Sequence, residues 1–152
     1  MLPETSVRFR TEDEKTQRVF DAAEKKCLQN LKDFGGRTVL VEGGGYEKIW
    51  LETQPMGGEM YALRNLEAAL NNCLLFMEHQ RADGRLPGSI QCVGGAPVPQ
   101  FDKYQGFCFP FPALNLYFLS GRDPGYLERL KETLIRFDAC LRRTRGLSWA
   151  AN

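Results

Sequence analysis

The segment HQRADGRLPGSI, His79 to Ile90, sets Arg81, Asp83 and Arg85 around one glycine-containing turn. A carboxylate between two guanidiniums gives charge-assisted, often bidentate hydrogen bonds, the chemistry needed to orient a polar ligand. The same residues also suit a plain turn, with Asp83-Gly84 at its centre and either arginine paired to the aspartate. His79 is the only histidine and has no flanking nucleophile motif, so Ser–His–Asp and Cys–His chemistry fit poorly. At the end of an apolar helical run it reads as a helix-end cation or solvent residue. The five cysteines, Cys27, Cys73, Cys92, Cys108 and Cys140, are odd in number and never spaced CxxC. Zinc ribbons and disulfide frameworks are therefore poor readings, and buried free thiols in a reducing, cytoplasmic compartment are the expectation. Gly43-Gly44-Gly45 lacks the GxxxxGK[ST] pattern and sits in no strand–GxGxxG–helix unit, which argues against a phosphate loop.

Composition narrows the classes further. At 152 residues and 17.3 kDa the chain fits one domain with a core. Twenty Lys plus Arg against nineteen Asp plus Glu leave a net charge of +1, too little field to draw nucleic acid or an anionic membrane. No apolar run approaches the roughly 20 residues that span a bilayer. The polar start, MLPETSVRFRTEDEK, is unlike a secretory signal.

The elements that must position these residues read mostly as helices. Thr11 to Glu14 forms a capping box, followed by Val19, Phe20, Ala23, Cys27, Leu28 and Leu31 at helical spacing. Gly35-Gly36 supplies a left-handed stop, so helix one is expected over Thr11 to Phe34. Arg37 to Glu42 suits a short extended piece, and Tyr46 to Met56 reads as a long irregular loop. Helix two is expected from about Gly58 to Gln80, apolar over most of its surface, with Asn71 and Asn72 on a narrow polar face. Pro87, Pro97 and Pro99 exclude helix from much of the loop Arg81 to Tyr104. Helix three is expected over Pro110 to Leu119 and helix four over Pro124 to Arg143, the latter capped by Asp123 with Pro124 in its first position. The expectation is a single, mainly α domain over residues 1–152, built from helical hairpins.

Four segments in order carry a family resemblance: YEKIWLETQPMGGEMYA, FMEHQRADGRLPGSI, QGFCFPFPALNLYFLSGRDPGYL and LIRFDACLRRTRGLSW. Together, over roughly residues 40–149, they resemble the N-terminal half of the six-hairpin glycosidases, whose fold is an (α/α)6 toroid. The resemblance implies that the helical hairpins here form part of such a toroid. It also implies a carbohydrate-active protein whose loops bind a sugar, with Trp50, Glu52, Arg81, Asp83, Arg85 and Gln105 facing the pocket. Two departures stand out. Glu52 occupies a position where many members have aspartate, and the turn Ser120-Gly121-Arg122-Asp123 replaces their Thr-Gly-Asp.

The toroid needs twelve helices and about four are legible, so the resemblance assigns the catalytic acid and base to segments beyond Asn152. Glycoside hydrolysis sets two carboxyl groups across the scissile bond, about 6.5–9.5 Å apart in inverting enzymes. Glu52 and Asp83 are the only local pair, and the resemblance gives both to substrate binding. Each site residue also has a plainer reading: Trp50 as a packing anchor, Glu52 as a solvated acid, Asp83 as part of a turn, Gln105 as a partner for backbone groups. No cofactor and no metal site is expected. The expected partners are a carbohydrate and either further copies of the chain or a partner chain completing the ring. The alternative function is a non-catalytic helical binding or oligomerisation module, since half a ring would expose apolar helix faces.

Overall fold

The computed structural model describes residues 7–43, 45–102 and 108–145. Its elements are α1 (Glu14–Gln29), β1 (Leu31–Asp33), β2 (Thr38–Leu40), β3 (Lys48–Trp50), α2 (Gln54–Tyr61), α3 (Leu66–Glu78), β4 (Ser89–Val93), β5 (Ala96–Gln100), α4 (Pro110–Leu119) and α5 (Pro124–Arg145). β1 and β2 form one antiparallel pair, and β3-β4-β5 form an antiparallel sheet in that order. The fold is therefore mixed α/β, which overturns the expected mainly α, toroid-type arrangement of helical hairpins.

β2 lies within the extended piece expected over Arg37 to Glu42, and the other strands lie where the sequence reads as helix end or loop. Gly35 and Gly36 both take positive φ, 70° and 83°. They turn a hairpin whose Phe34 N–H donates to the Arg37 carbonyl at 2.8 Å, rather than stopping a helix. α1 accordingly ends at Gln29, and Leu31 joins β1, opposite Leu40. The helix also starts later than the capping box implies. Asp13 is its N-cap, accepting from the Lys15 and Thr16 amides, while the Thr11 hydroxyl accepts from the Asp13 amide. The Thr16 and Lys15 amides hold the Asp13 carboxyl below its ordinary pKa. No residue of α1 is buried.

Gly94 and Gly95, with φ of 58° and 82°, make the two-residue turn between β4 and β5. Pro97 and Pro99 sit in β5, which pairs on one side only, so their missing N–H groups can lie along the open edge. The long helix expected over residues 58–80 is two helices. Asn65 breaks it by taking extended backbone and capping α3, its side chain accepting from the Ala68 amide at 2.9 Å. Gly58 lets α2 and α3 approach closely, since a Cβ there would lie 3.0 Å from Asn72 Cβ and 3.2 Å from the Ala69 carbonyl.

Asn71 and Asn72 point inward, not to solvent. Asn72 is fully buried, and its amide mimics a neighbouring strand. Its Oδ1 accepts from Leu40 N–H at 2.8 Å and its Nδ2 donates to Leu40 C=O at 2.7 Å. Asn71 Nδ2 donates to the Thr38 carbonyl at 2.9 Å. Helix α3 thus satisfies the free edge of β2 with side chains, meeting the pairing demand of buried backbone groups. The core gathers Phe34, Val39, Ile49, Phe76, Leu86, Ile90, Phe109, Leu116 and Leu130 from all layers. α4 covers residues 110–119 as its sequence indicates. α5 is capped by Asp123, whose carboxylate accepts from the Tyr126 amide at 2.7 Å. Among the described residues no helix is long and apolar enough to cross a membrane.

Candidate functional site

The Arg81–Arg85 segment closes on itself. Arg81 grips Asp83 with two donors, Nε to Oδ1 at 2.9 Å and Nη2 to Oδ2. The Arg85 amide donates to the same Oδ1 at 3.1 Å. The Arg81 guanidinium, followed by the Arg85 amide, holds the Asp83 carboxyl far below the ordinary carboxylate range. Helix α5 then clamps the turn from fifty residues away. Arg136 Nη2 donates to the Arg81 carbonyl at 2.9 Å, and Arg143 Nη2 donates to the Asp83 carbonyl. Gly84, at φ 90°, lies so close to α5 that a Cβ would stand 2.1 Å from the Arg136 carbonyl oxygen. Gln80 bridges the two elements, donating to Gly84 C=O at 2.8 Å and Thr133 C=O at 3.0 Å.

Arg85 leaves this turn in another direction. Its Nη2 donates to the Phe101 carbonyl at 2.6 Å, and its Nε is buried without a hydrogen-bond partner among the described residues. The Arg81 guanidinium stands over the Phe101 ring, 5.2 Å from its centroid. The residues around Asp83 are thus brought together as a turn locked onto a helix. An Asp83 held ionised carries no proton to give, and its oxygens are engaged by donors, so it is suited neither to general acid nor to nucleophile.

Trp50 and Glu52 lie on a different feature. Trp50 ends β3, opposite Ser89 of β4, and Glu52 is exposed in the turn leading into α2. Side chains alternate across a sheet, so Ile49 and Ile90 face the core while Lys48, Trp50, Ser89, Gln91 and Gln100 share the other face. There they form one network. Lys48 Nζ donates to Gln100 Oε1 at 2.7 Å, and Ser89 Oγ donates to the same oxygen at 3.1 Å. Gln100 Nε2 donates to Gln91 Oε1 at 2.9 Å, and the Lys48 ammonium stands 4.8 Å from the Trp50 ring centroid. Gln54, buried at the start of α2, fixes the strand end by accepting from the Trp50 amide at 2.6 Å. The shelf offers an aromatic plate beside amides and an ammonium, while the Ser89 hydroxyl is buried against Gln100.

Of the six residues that the sequence singles out, Arg81, Asp83 and Arg85 meet in the turn and Trp50 stands on the sheet face. Glu52 lies just beyond Trp50, and Gln105 is outside the described residues. Lys48 escapes a reading that treats 46–56 as loop, and Ser89, Gln91 and Gln100 one that treats 81–104 as loop. The signal for the last three is the alternation in SIQCV and APVPQ about Gly94-Gly95. Among the described residues no three His, Cys, Asp or Glu side chains gather as metal ligands. No family model, curated protein or solved structure matches the chain.

Proposed function

We propose that the chain is carbohydrate-active and that its sheet face holds a sugar. The supporting observation is the placement of Trp50 beside the linked side chains of Lys48, Gln100, Gln91 and Ser89. A pyranose ring presents a planar apolar C–H face and a rim of hydroxyls. Indole matches the first, and amide and ammonium groups match the second. A sugar stacking on Trp50 displaces the Lys48 ammonium from the ring and gives it a hydroxyl as partner. The role is binding. Asp83 is locked in its ion pair, so a glycoside hydrolase built on this chain takes its acid and base from other residues. The odd set of free cysteines suits a cytoplasmic setting.

The test is NMR titration of the labelled chain with a panel of mono- and oligosaccharides at millimolar concentration. The expected result is saturable shifts at the Trp50 indole N–H and the Gln91 and Gln100 amides, lost in Trp50→Ala and Lys48→Met. A panel that moves none of these signals refutes the proposal.

A further inference from the structure

Lys48 is the only charged residue in the β3-β4-β5 sheet, whose strands read KIW, SIQCV and APVPQ. It is half-buried, and among the described residues no carboxylate pairs with it. Its ammonium rests against a neutral amide oxygen and the Trp50 ring. A cation partly withdrawn from water and left without a counter-charge favours an anion beside it.

The ammonium also sets the polarity of its neighbours. A cation demands an oxygen, so Gln100 turns Oε1 toward Lys48 Nζ at 2.7 Å. The Ser89 hydroxyl donates to that oxygen too, at 3.1 Å, which fills both its lone pairs. Gln100 Nε2 then faces Gln91, which accepts through Oε1 at 2.9 Å. Gln91 is thereby fixed with its oxygen inward in the network, and among the described residues its Nε2 has no acceptor. Lys48 and Gln91 are direct partners in the β3–β4 register, so the ammonium and this amide nitrogen belong to neighbouring side chains. The acceptors left over are one lone pair of Gln91 Oε1 and the oxygen of the buried Ser89. The donors left over are the Gln91 amide N–H groups and the remaining N–H of the ammonium. The open side of the network is thus positive and rich in donors. A sugar hydroxyl both donates and accepts, whereas a carboxylate or sulfate ester only accepts, through stronger, charge-assisted bonds.

We infer that the sugar held here is an acidic one, its carboxylate or sulfate group placed between Lys48 Nζ and Gln91 Nε2 while its ring stacks on Trp50. The inference rests on the reading of this face as a sugar site, and the experiment separates the two. Methyl glucuronoside, its uncharged methyl ester, methyl glucoside and methyl glucoside 6-sulfate are each titrated into the labelled chain and followed by NMR. At least one of the two acids is expected to bind about tenfold tighter than the glucoside, and the tighter acid identifies the anion. The methyl ester is expected to bind only as well as the glucoside. Lys48→Met, with a spectrum that shows it folded, is expected to bind acid and glucoside equally. If the glucoside binds within about threefold of both acids, the sugar site stands and the preference for an acid is overturned. The same follows if the ester binds as tightly as the glucuronoside when the latter is the tighter acid, or if folded Lys48→Met still prefers the acid. If none of the four compounds shifts the Trp50, Gln91 or Gln100 side-chain signals, the sugar site falls and the inference with it.

Discussion

Replacing Asn72 by alanine removes the side chain that completes the edge of β2. Two hydrogen bonds go, the 2.8 Å bond from Leu40 N–H and the 2.7 Å bond to Leu40 C=O. Both strand groups are then left facing α3 with no partner of the right shape, and water has poor access at a site where Asn72 is fully buried. An unsatisfied buried group costs about 1–3 kcal/mol, so the pair costs about 2–6 kcal/mol. That is a large part of the roughly 5–15 kcal/mol that holds a domain folded. Urea unfolding followed by circular dichroism measures the loss as a lower midpoint at unchanged slope. Hydrogen exchange locates it, since the Leu40 amide is expected to lose protection first. Asn71→Ala removes a single bond to Thr38 C=O and is expected to cost about 1 kcal/mol. An Asn72→Ala protein within about 0.5 kcal/mol of wild type, the usual range for inconsequential substitutions, refutes the account of the β2 edge.

Gly84→Ala drives a Cβ into the Arg136 carbonyl at a backbone angle that side chains avoid. It is expected to lower the thermal midpoint and to free the 81–85 turn from α5, seen as faster exchange of the Gly84 and Arg85 amides. Gly58→Ala forces α2 away from α3 and is expected to cost about 1–3 kcal/mol by the overpacking it introduces, measured by urea unfolding. Asp83 has a folded pKa depressed below its unfolded value of about 3.9, so its stabilising effect is present above that value and is lost as the pH falls toward the folded pKa. The stability gap between wild type and Asp83→Asn is accordingly expected to be widest above about pH 5 and to shrink in acid; a gap that is flat from pH 7 to pH 2 refutes the ion pair's role.

The helices and the hairpins differ in how openly their sequences declare them. α4 and α5 both start at prolines; α4 is apolar nearly throughout, and α5 follows apolar spacing behind an aspartate cap, so local chemistry alone marks where they begin. The hairpins declare themselves less openly. β1 and β2 are three residues each, too short for alternation to register, and their turn glycines are the same residues that would end a helix. In β5 the prolines mask a strand that is permitted only because it lies at an edge. Asn71 and Asn72 look like a solvent face until β2 is set beside them, which is a tertiary fact. The Arg81–Asp83–Arg85 cluster is plain in the sequence, and so is its ambiguity. What resolves it is the placement of Arg136 and Arg143, remote in sequence and adjacent in space.

That resolution separates two roles for Asp83 which a simple loss-of-function experiment would confuse. If the carboxylate held sugar hydroxyls directly, Asp83→Asn would weaken sugar binding at every temperature at which the protein is folded. If it serves the turn, Arg81 loses its bidentate partner and the loop loosens on α5, while the shelf keeps its contacts through β3, β4 and β5. Binding measured well below the thermal midpoint is then expected to be within about twofold of wild type for Asp83→Asn, a difference of about 0.4 kcal/mol. Lys48→Met, which removes the ammonium from Gln100 and Trp50 and leaves the strand pairing intact, is expected to weaken binding at least tenfold under the same conditions. The stability order is expected to be the reverse, with Asp83→Asn the less stable of the two at neutral pH. An Asp83→Asn protein that is as stable as wild type and has lost the sugar would move the binding site from the sheet face to the turn.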